Sequence, residues 1–288
     1  MMRGLSVAGL YLLTAVLLGS MLAVTLQGVL SFPFDRVLTR SVLLVLLILL
    51  IPLWKMVSKE TSGLIFGDFS FRQFSQSFLF GLFILAIPVV ALLLLEVRLV
   101  AIDLEISFLS ILGILLVGIV LACLIGLFEE ILFRGFLYGA LKKRVGGLTA
   151  ALVSSALYSS VHFLKPTGEL ELPINWLAGF IYLEQSIGNM ILLHQDWDAR
   201  LSLMILGCFF CLVRERFNLF CCIGLHAAFV VGIAISRQLT TVNLDSQFLG
   251  LISSYNEIIG QLVSFWLLLL VYAMYRSKRN KKSLVYSS

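Results

Sequence analysis

Apolar runs long enough to cross a bilayer recur along this chain, and they constrain its fold more than any motif does. A helix crossing about 30 Å of hydrocarbon needs about 20 apolar residues. The expected spans are Val7–Leu30, Val42–Val57, Phe78–Leu95, Ile106–Phe128, Leu148–Phe163, Leu201–Val213, Leu219–Ile235 and Ile258–Tyr275. Continuous runs, rather than ten-residue alternation, select helices over barrel strands, because each helix satisfies its own backbone polar groups in lipid. Composition agrees. With 60% hydrophobic and 13% charged residues and a mean hydropathy of +1.04, the chain is no soluble globular domain, where about a quarter of residues are charged.

A further apolar segment, Ile174–Leu193, lies between the fifth and sixth spans, and charge decides its treatment. If it does not cross, 14 Lys and Arg residues face one side (Arg3, Lys55, Lys59, Arg72, Lys142, Lys143, Arg144, Arg214, Arg216, Arg276, Lys278, Arg279, Lys281 and Lys282) and 6 the other (Arg36, Arg40, Arg98, Lys165, Arg200 and Arg237). If it crosses, the split becomes 9 against 11. The positive-inside rule therefore predicts an all-α polytopic membrane helix bundle of about eight transmembrane helices, with Ile174–Leu193 re-entrant or interfacial on the far side. Both termini are then cytoplasmic, and a plasma (inner) membrane location is expected. The N-terminal run is too long for a signal-peptide core and reads as a retained span.

The net charge of +5 comes largely from Arg276–Lys282. That tail fits a role in orienting the last helix against anionic headgroups, and no nucleic-acid partner is expected. Cys123, Cys208, Cys211, Cys221 and Cys222 all fall within expected spans and read as packing residues. No repeat or linker divides the chain, so residues 1–105 read as plain N-terminal transmembrane helices and 106–288 as a transmembrane core integrated with them, which holds the ionisable residues of interest.

The exception to this apolar pattern is Phe128-Glu129-Glu130-Ile131-Leu132-Phe133-Arg134. Ionisable groups in hydrocarbon cost several kcal/mol and mark function by default. Glu130 and Arg134 stand four residues apart on one helix face and can neutralise each other. Glu129 points about 100° away from Glu130 and is left to face a cavity. His162 ends the fifth span and His226 lies inside the seventh, whereas His194 precedes a polar loop and reads as solvated. Counting from the basic loops at 1.5 Å per residue, Glu129, His162 and His226 lie roughly 20, 22 and 14 Å deep. One polar cluster is thus geometrically available.

A Glu and a His can hold and polarise one water, and a second His can donate to the oxyanion formed when that water attacks an amide. Peptide-bond hydrolysis inside the membrane uses all three groups. Glu129, His162 and His226 could equally hold a divalent metal such as zinc, which would activate the water instead; the Glu-water route needs no cofactor. No Gly-x-Ser-Gly, Gly-x-Gly-Asp or His-Glu-x-x-His motif is present, and neither is a phosphate-binding glycine pattern.

Glu129-Glu130-x-x-x-Arg134, Tyr158-x-x-x-His162 and Gly224-Leu225-His226, in that order, resemble the CPBP family of intramembrane endopeptidases, the CAAX prenyl protease and bacteriocin-processing type. The resemblance covers about Leu121–Gly232. It implies that Glu129 activates the water with help from His162, that Glu130 pairs with Arg134 to shape the site, and that His226 helps bind the oxyanion. Tyr158 stands where the family usually has Phe, and Val230 where Asn is frequent, so Tyr158, Ser159 and Ser160 are candidate replacement donors. The expected substrate is a membrane-embedded or membrane-associated peptide, with the lipid bilayer as the other partner; sequence fixes no oligomeric state. Two other classes fit the same residues. One is a catalytically silent membrane scaffold or immunity-type protein, which Val230 favours. The other is a proton-coupled transporter, although no inverted repeat is visible.

Overall fold

A computed structural model describes residues 2–61, 70–101, 108–164, 172–191 and 196–285. His194, Lys165, the 105/106 boundary and the ends of two expected segments (106–107 and 192–193) lie outside the described residues. Helices dominate. Among the described residues four are long and apolar enough to cross a membrane, at Leu10–Gln27, Phe71–Leu94, Leu116–Val145 and Leu219–Leu239, and shorter apolar helices run over Gly147–Val161 and Gln261–Arg276. The chain is an integral membrane protein built as a helical bundle. The full count of eight rests on the charge argument.

The chain divides into two compact units, Met1–Ser62 with Ser160–Leu193, and Gly63–Ser159 with His194–Ser288. In the first, α1 (Met2–Gln27) and α2 (Phe34–Thr61) form an antiparallel pair that packs with α7 (Ala178–Ile191). Its core is Ala23, Val37, Leu38 and Ala178. Tyr11 donates to the Leu46 carbonyl at 2.6 Å, and Gly179 N–H donates to Ser20 Oγ at 3.1 Å. Fourteen described residues make α7 about 21 Å long, short of a full crossing.

The second unit holds α3 (Phe71–Leu94), α4 (Phe108–Glu130), α5 (Tyr138–Val145), α6 (Gly147–Val161), α8 (Trp197–Arg216), α9 (Leu219–Leu239) and α10 (Gln261–Val285). The most buried of the long apolar helices is α9. Asn218 caps its start by accepting from Cys221 N–H at 2.9 Å, which satisfies a donor the first turn would leave unpaired. Parallel α3 and antiparallel α4 flank it. A Cβ at Gly224 would meet the Phe74 carbonyl oxygen at 2.5 Å, and one at Gly126 the Ile223 carbonyl oxygen at 3.2 Å. Only glycine permits the first approach, to α3, and glycine keeps the second close, so that α4 lies tight against α9 with its acidic end near His226.

Between α4 and α5 the helix widens to π geometry over Ile131–Leu137. Such segments have no sequence signature of their own and occur often at functional sites. A second departure from the purely helical expectation is a short antiparallel pair, β1 (Arg98–Val100) with β2 (Thr240–Val242), in the register Arg98↔Val242. It ties the chain after α3 to the end of α9.

Candidate active site

The site forms where the end of α4 and its π segment meet α9, with α6 and α8 behind. Arg134 Nη1 donates to Glu130 Oε1 at 2.9 Å, the ion pair that the i,i+4 spacing predicts. The same oxygen lies 2.8 Å from His226 Nδ1. A carboxylate oxygen only accepts, so Nδ1 carries the proton of that bond. The opposite ring nitrogen, Nε2, faces Glu129 Oε2 at 3.7 Å, too far for a direct hydrogen bond. Glu129 and Glu130 therefore flank one imidazole, one at each nitrogen. The simple α-helical expectation had sent Glu129 to a cavity and left Glu130 to Arg134 alone.

Burial separates the two carboxylates. Glu130 is 0% exposed and Arg134 1%, whereas the Glu129 side chain is 21% exposed, although its Oε2, the oxygen that faces His226, is buried. Among the described atoms, Glu130 Oε2 and Arg134 Nε and Nη2 meet no hydrogen-bond partner. Aromatic faces surround the guanidinium instead: its carbon lies 4.2 Å from the Tyr158 ring centroid and 4.9 Å from that of Phe210. A planar cation between ring faces is stabilised by their quadrupoles where hydrogen bonds are missing. Phe210 also stacks on His226, with centroids 5.4 Å apart and planes 10° from parallel, while Tyr158 meets the same imidazole edge-on at 6.3 Å. Ser154 of α6 donates to the Phe133 carbonyl at 3.1 Å, fixing the π segment.

The structure thus brings together Glu129, Glu130, Arg134, Tyr158 and His226. His162 lies in the turn after α6, among residues that group with the first unit, and its role beside Glu129 remains an expectation from depth and resemblance. Ser159 Oγ donates to the Arg200 carbonyl at 2.7 Å, so its hydroxyl proton is already committed. Val230 packs in an apolar cluster with Ala122, Ala227 and Val231. The five cysteines are free thiols. Among the described residues no three His, Cys, Asp or Glu side chains are grouped so as to hold a metal ion. Glu130 holds Nδ1 of His226, which leaves Nε2 directed at Glu129 Oε2.

Two groups near the site carry no signal in the sequence. Phe210, one of 22 phenylalanines, backs both Arg134 and His226. Tyr255, in the loop before α10, is half-buried and stands within the electrostatic reach of Glu129.

Fold and site together define a helical membrane protein with a buried Arg-Glu-His chain ending at a partly accessible carboxylate. Residues 110–232 match the family model described as Type II CAAX prenyl endopeptidase Rce1-like, in agreement with the CPBP resemblance of the motifs. No curated protein and no solved structure matches.

Proposed function

We propose that this protein is an intramembrane endopeptidase that hydrolyses a peptide bond of a membrane-associated peptide or protein with a water activated by Glu129. The observation that carries this reading is the placement of Glu129 Oε2 opposite His226 Nε2 at 3.7 Å, with the other side of the ring held by Glu130. A water or a substrate oxygen beside these two atoms can reach both without either side chain moving far.

Glu129 takes a proton from the water as its oxygen attacks the scissile carbonyl carbon. His226, its orientation set by Nδ1–H on Glu130, presents Nε2 to the oxyanion that forms and donates to it when the ring carries its second proton. The C–N bond then breaks, the proton on Glu129 passes to the leaving amine, and the new carboxyl group departs. His162, by the family resemblance, assists Glu129 in holding the water. Arg134 balances the charge of Glu130, so that the carboxylate orienting His226 does not stand alone in a dry interior.

The apolar packing of Val230, one turn beyond His226, supports the second reading, a silent scaffold that binds membrane peptides without cleaving them. One experiment separates the two. The full-length protein in proteoliposomes is mixed with a library of single-span membrane peptides, with and without chelator, as wild type and as Glu129→Ala. Cleavage by wild type alone, unaffected by chelator, is the peptidase outcome; chelator-sensitive cleavage would replace the Glu-water route with a metal; binding without cleavage is the scaffold.

A further inference from the structure

Helices of the second unit are tied together by side chains at one end of the bundle. Lys142, in the last turn of α5, places Nζ 2.6 Å from both carboxylate oxygens of Glu215, in the last turn of α8. Asn218, which caps the start of α9, donates from Nδ2 to Gln73 Oε1 at 2.5 Å, in the first turn of α3. Only Phe217 separates Arg216 from Asn218, so the two ties and the chain between them string the ends of α3, α5, α8 and α9 into one continuous arc. The same arc holds the first residues of the apolar spans Phe71–Leu94 and Leu219–Leu239 and the last residues of Leu116–Val145.

Arg72, Lys143 and Arg144, all exposed, and half-buried Arg216 stand along the arc beside the Lys142–Glu215 pair. Helix ends account for part of this, because basic side chains in the last turns of α5 and α8 complement the negative ends of those helices. Arg72 has no such reason: it lies in the first turn of α3, where the helix dipole disfavours a cation. The first turns of α3, α6 and α9 hold no acidic residue, so three positive helix ends add to the cations instead of being offset. Phe71 and Phe217, the chain neighbours of Arg72 and Arg216, are exposed, and so are Val145 and Leu148 just beyond Arg144.

We infer that this arc is an interaction surface for anionic phospholipid, with lipid phosphates held by Arg72, Lys143, Arg144 and Arg216 and the upper acyl chains lying against Phe71, Leu148 and Phe217. Its location carries the argument. The arc is built from the ends of membrane-crossing helices, which puts its cations at headgroup level, where clustered basic residues attract anionic lipid. A soluble anion or an acidic peptide would also be drawn to the cations. Exposed phenylalanine and leucine beside them favour the lipid, because these side chains gain from contact with acyl chains and gain nothing from water. The Lys142–Glu215 tie holds the two basic turns side by side, so that one patch forms where separate turns would act only through net charge. The inference holds whether or not the protein cleaves peptides.

The full-length protein in a neutral detergent is titrated with phosphatidylglycerol or with phosphatidylcholine of matched chains, and bound lipid is counted by native mass spectrometry. Phosphatidylglycerol is expected to bind about tenfold more tightly; equal binding overturns the proposal. Two charge-matched variants then separate the surface from net charge. Arg72→Gln with Lys143→Gln and Arg144→Gln, three exposed positions, is expected to unfold at the wild-type temperature and to lose the preference. Lys278→Gln with Arg279→Gln and Lys281→Gln, in the C-terminal tail, removes the same charge and is expected to keep it. Equal loss in both variants, or loss in the tail variant alone, overturns the proposal. Glycerol phosphate and a soluble polyglutamate peptide, each added in excess, are expected to leave the bound lipid in place. Displacement by the first would make the arc a soluble-anion site and displacement by the second a protein-docking surface, and either result overturns the lipid assignment.

Discussion

His226 Nδ1 lies 2.8 Å from Glu130 Oε1, the same oxygen that accepts from Arg134. The residue that neutralises the buried arginine therefore also sets the tautomer and direction of the imidazole. Structural and chemical roles meet in one carboxylate, so variants along this chain should lose both stability and rate, whereas Glu129 should affect rate alone.

Arg134→Ala removes one member of a buried pair and leaves Glu130 charged in a dry site. A loss of about 3–5 kcal/mol is expected, read as a lower midpoint of thermal unfolding in detergent. Arg134→Lys should restore little, because an ammonium cannot lie flat between Tyr158 and Phe210 as the guanidinium does. A stable Arg134→Ala protein with only its turnover changed would move Arg134 into the chemistry.

Phe210→Ala should cost about 3–5 kcal/mol through the cavity it opens, and in addition it frees the His226 ring to rotate. Phe210→Leu keeps most of the volume and separates these effects. Its expected phenotype is near-normal unfolding with slower cleavage; equal cleavage would show that Glu130 alone orients the ring.

Val230→Asn places a donor one helical turn from His226, at i+4 on the same face. Cleavage is expected to rise relative to wild type, with a stability loss of about 1–3 kcal/mol because the amide enters the cluster of Ala122, Ala227 and Val231. Unchanged cleavage would show that an amide at this position does not reach the oxyanion.

Much of this site was legible because its pairings are local or repeat with helical depth. Glu130 with Arg134 follows from four-residue spacing, and the meeting of Glu129 with His226 from their comparable depths on adjacent helices. The π segment escaped because one extra residue per turn leaves no mark on composition, and it accompanies the turn of both carboxylates onto one imidazole. Arg98 had read as a far-side loop charge, yet it is buried. Its partners lie 142 and 159 residues away, a separation that no periodicity encodes. The three-residue strands were too short to register against the apolar helices around them.

Topology has its own test. Ile174–Leu193 is expected not to cross the membrane, since only that arrangement gives the 14 to 6 charge split. On a background lacking the native cysteines, Lys165→Cys and Asp198→Cys should label from the same side. Labelling from opposite sides would add a span and invert every later loop.

The most direct test of the central claim is kcat for Glu129→Gln on a membrane peptide that wild type cleaves, measured beside Glu130→Gln. Glu129 lies outside the Arg134 ion pair and is partly exposed, so its variant should fold normally and lose about 10²- to 10⁴-fold in kcat, the range of a missing general base. Glu130→Gln should lose thermal stability as well. A Glu129→Gln protein that cleaves at the wild-type rate would contradict the account.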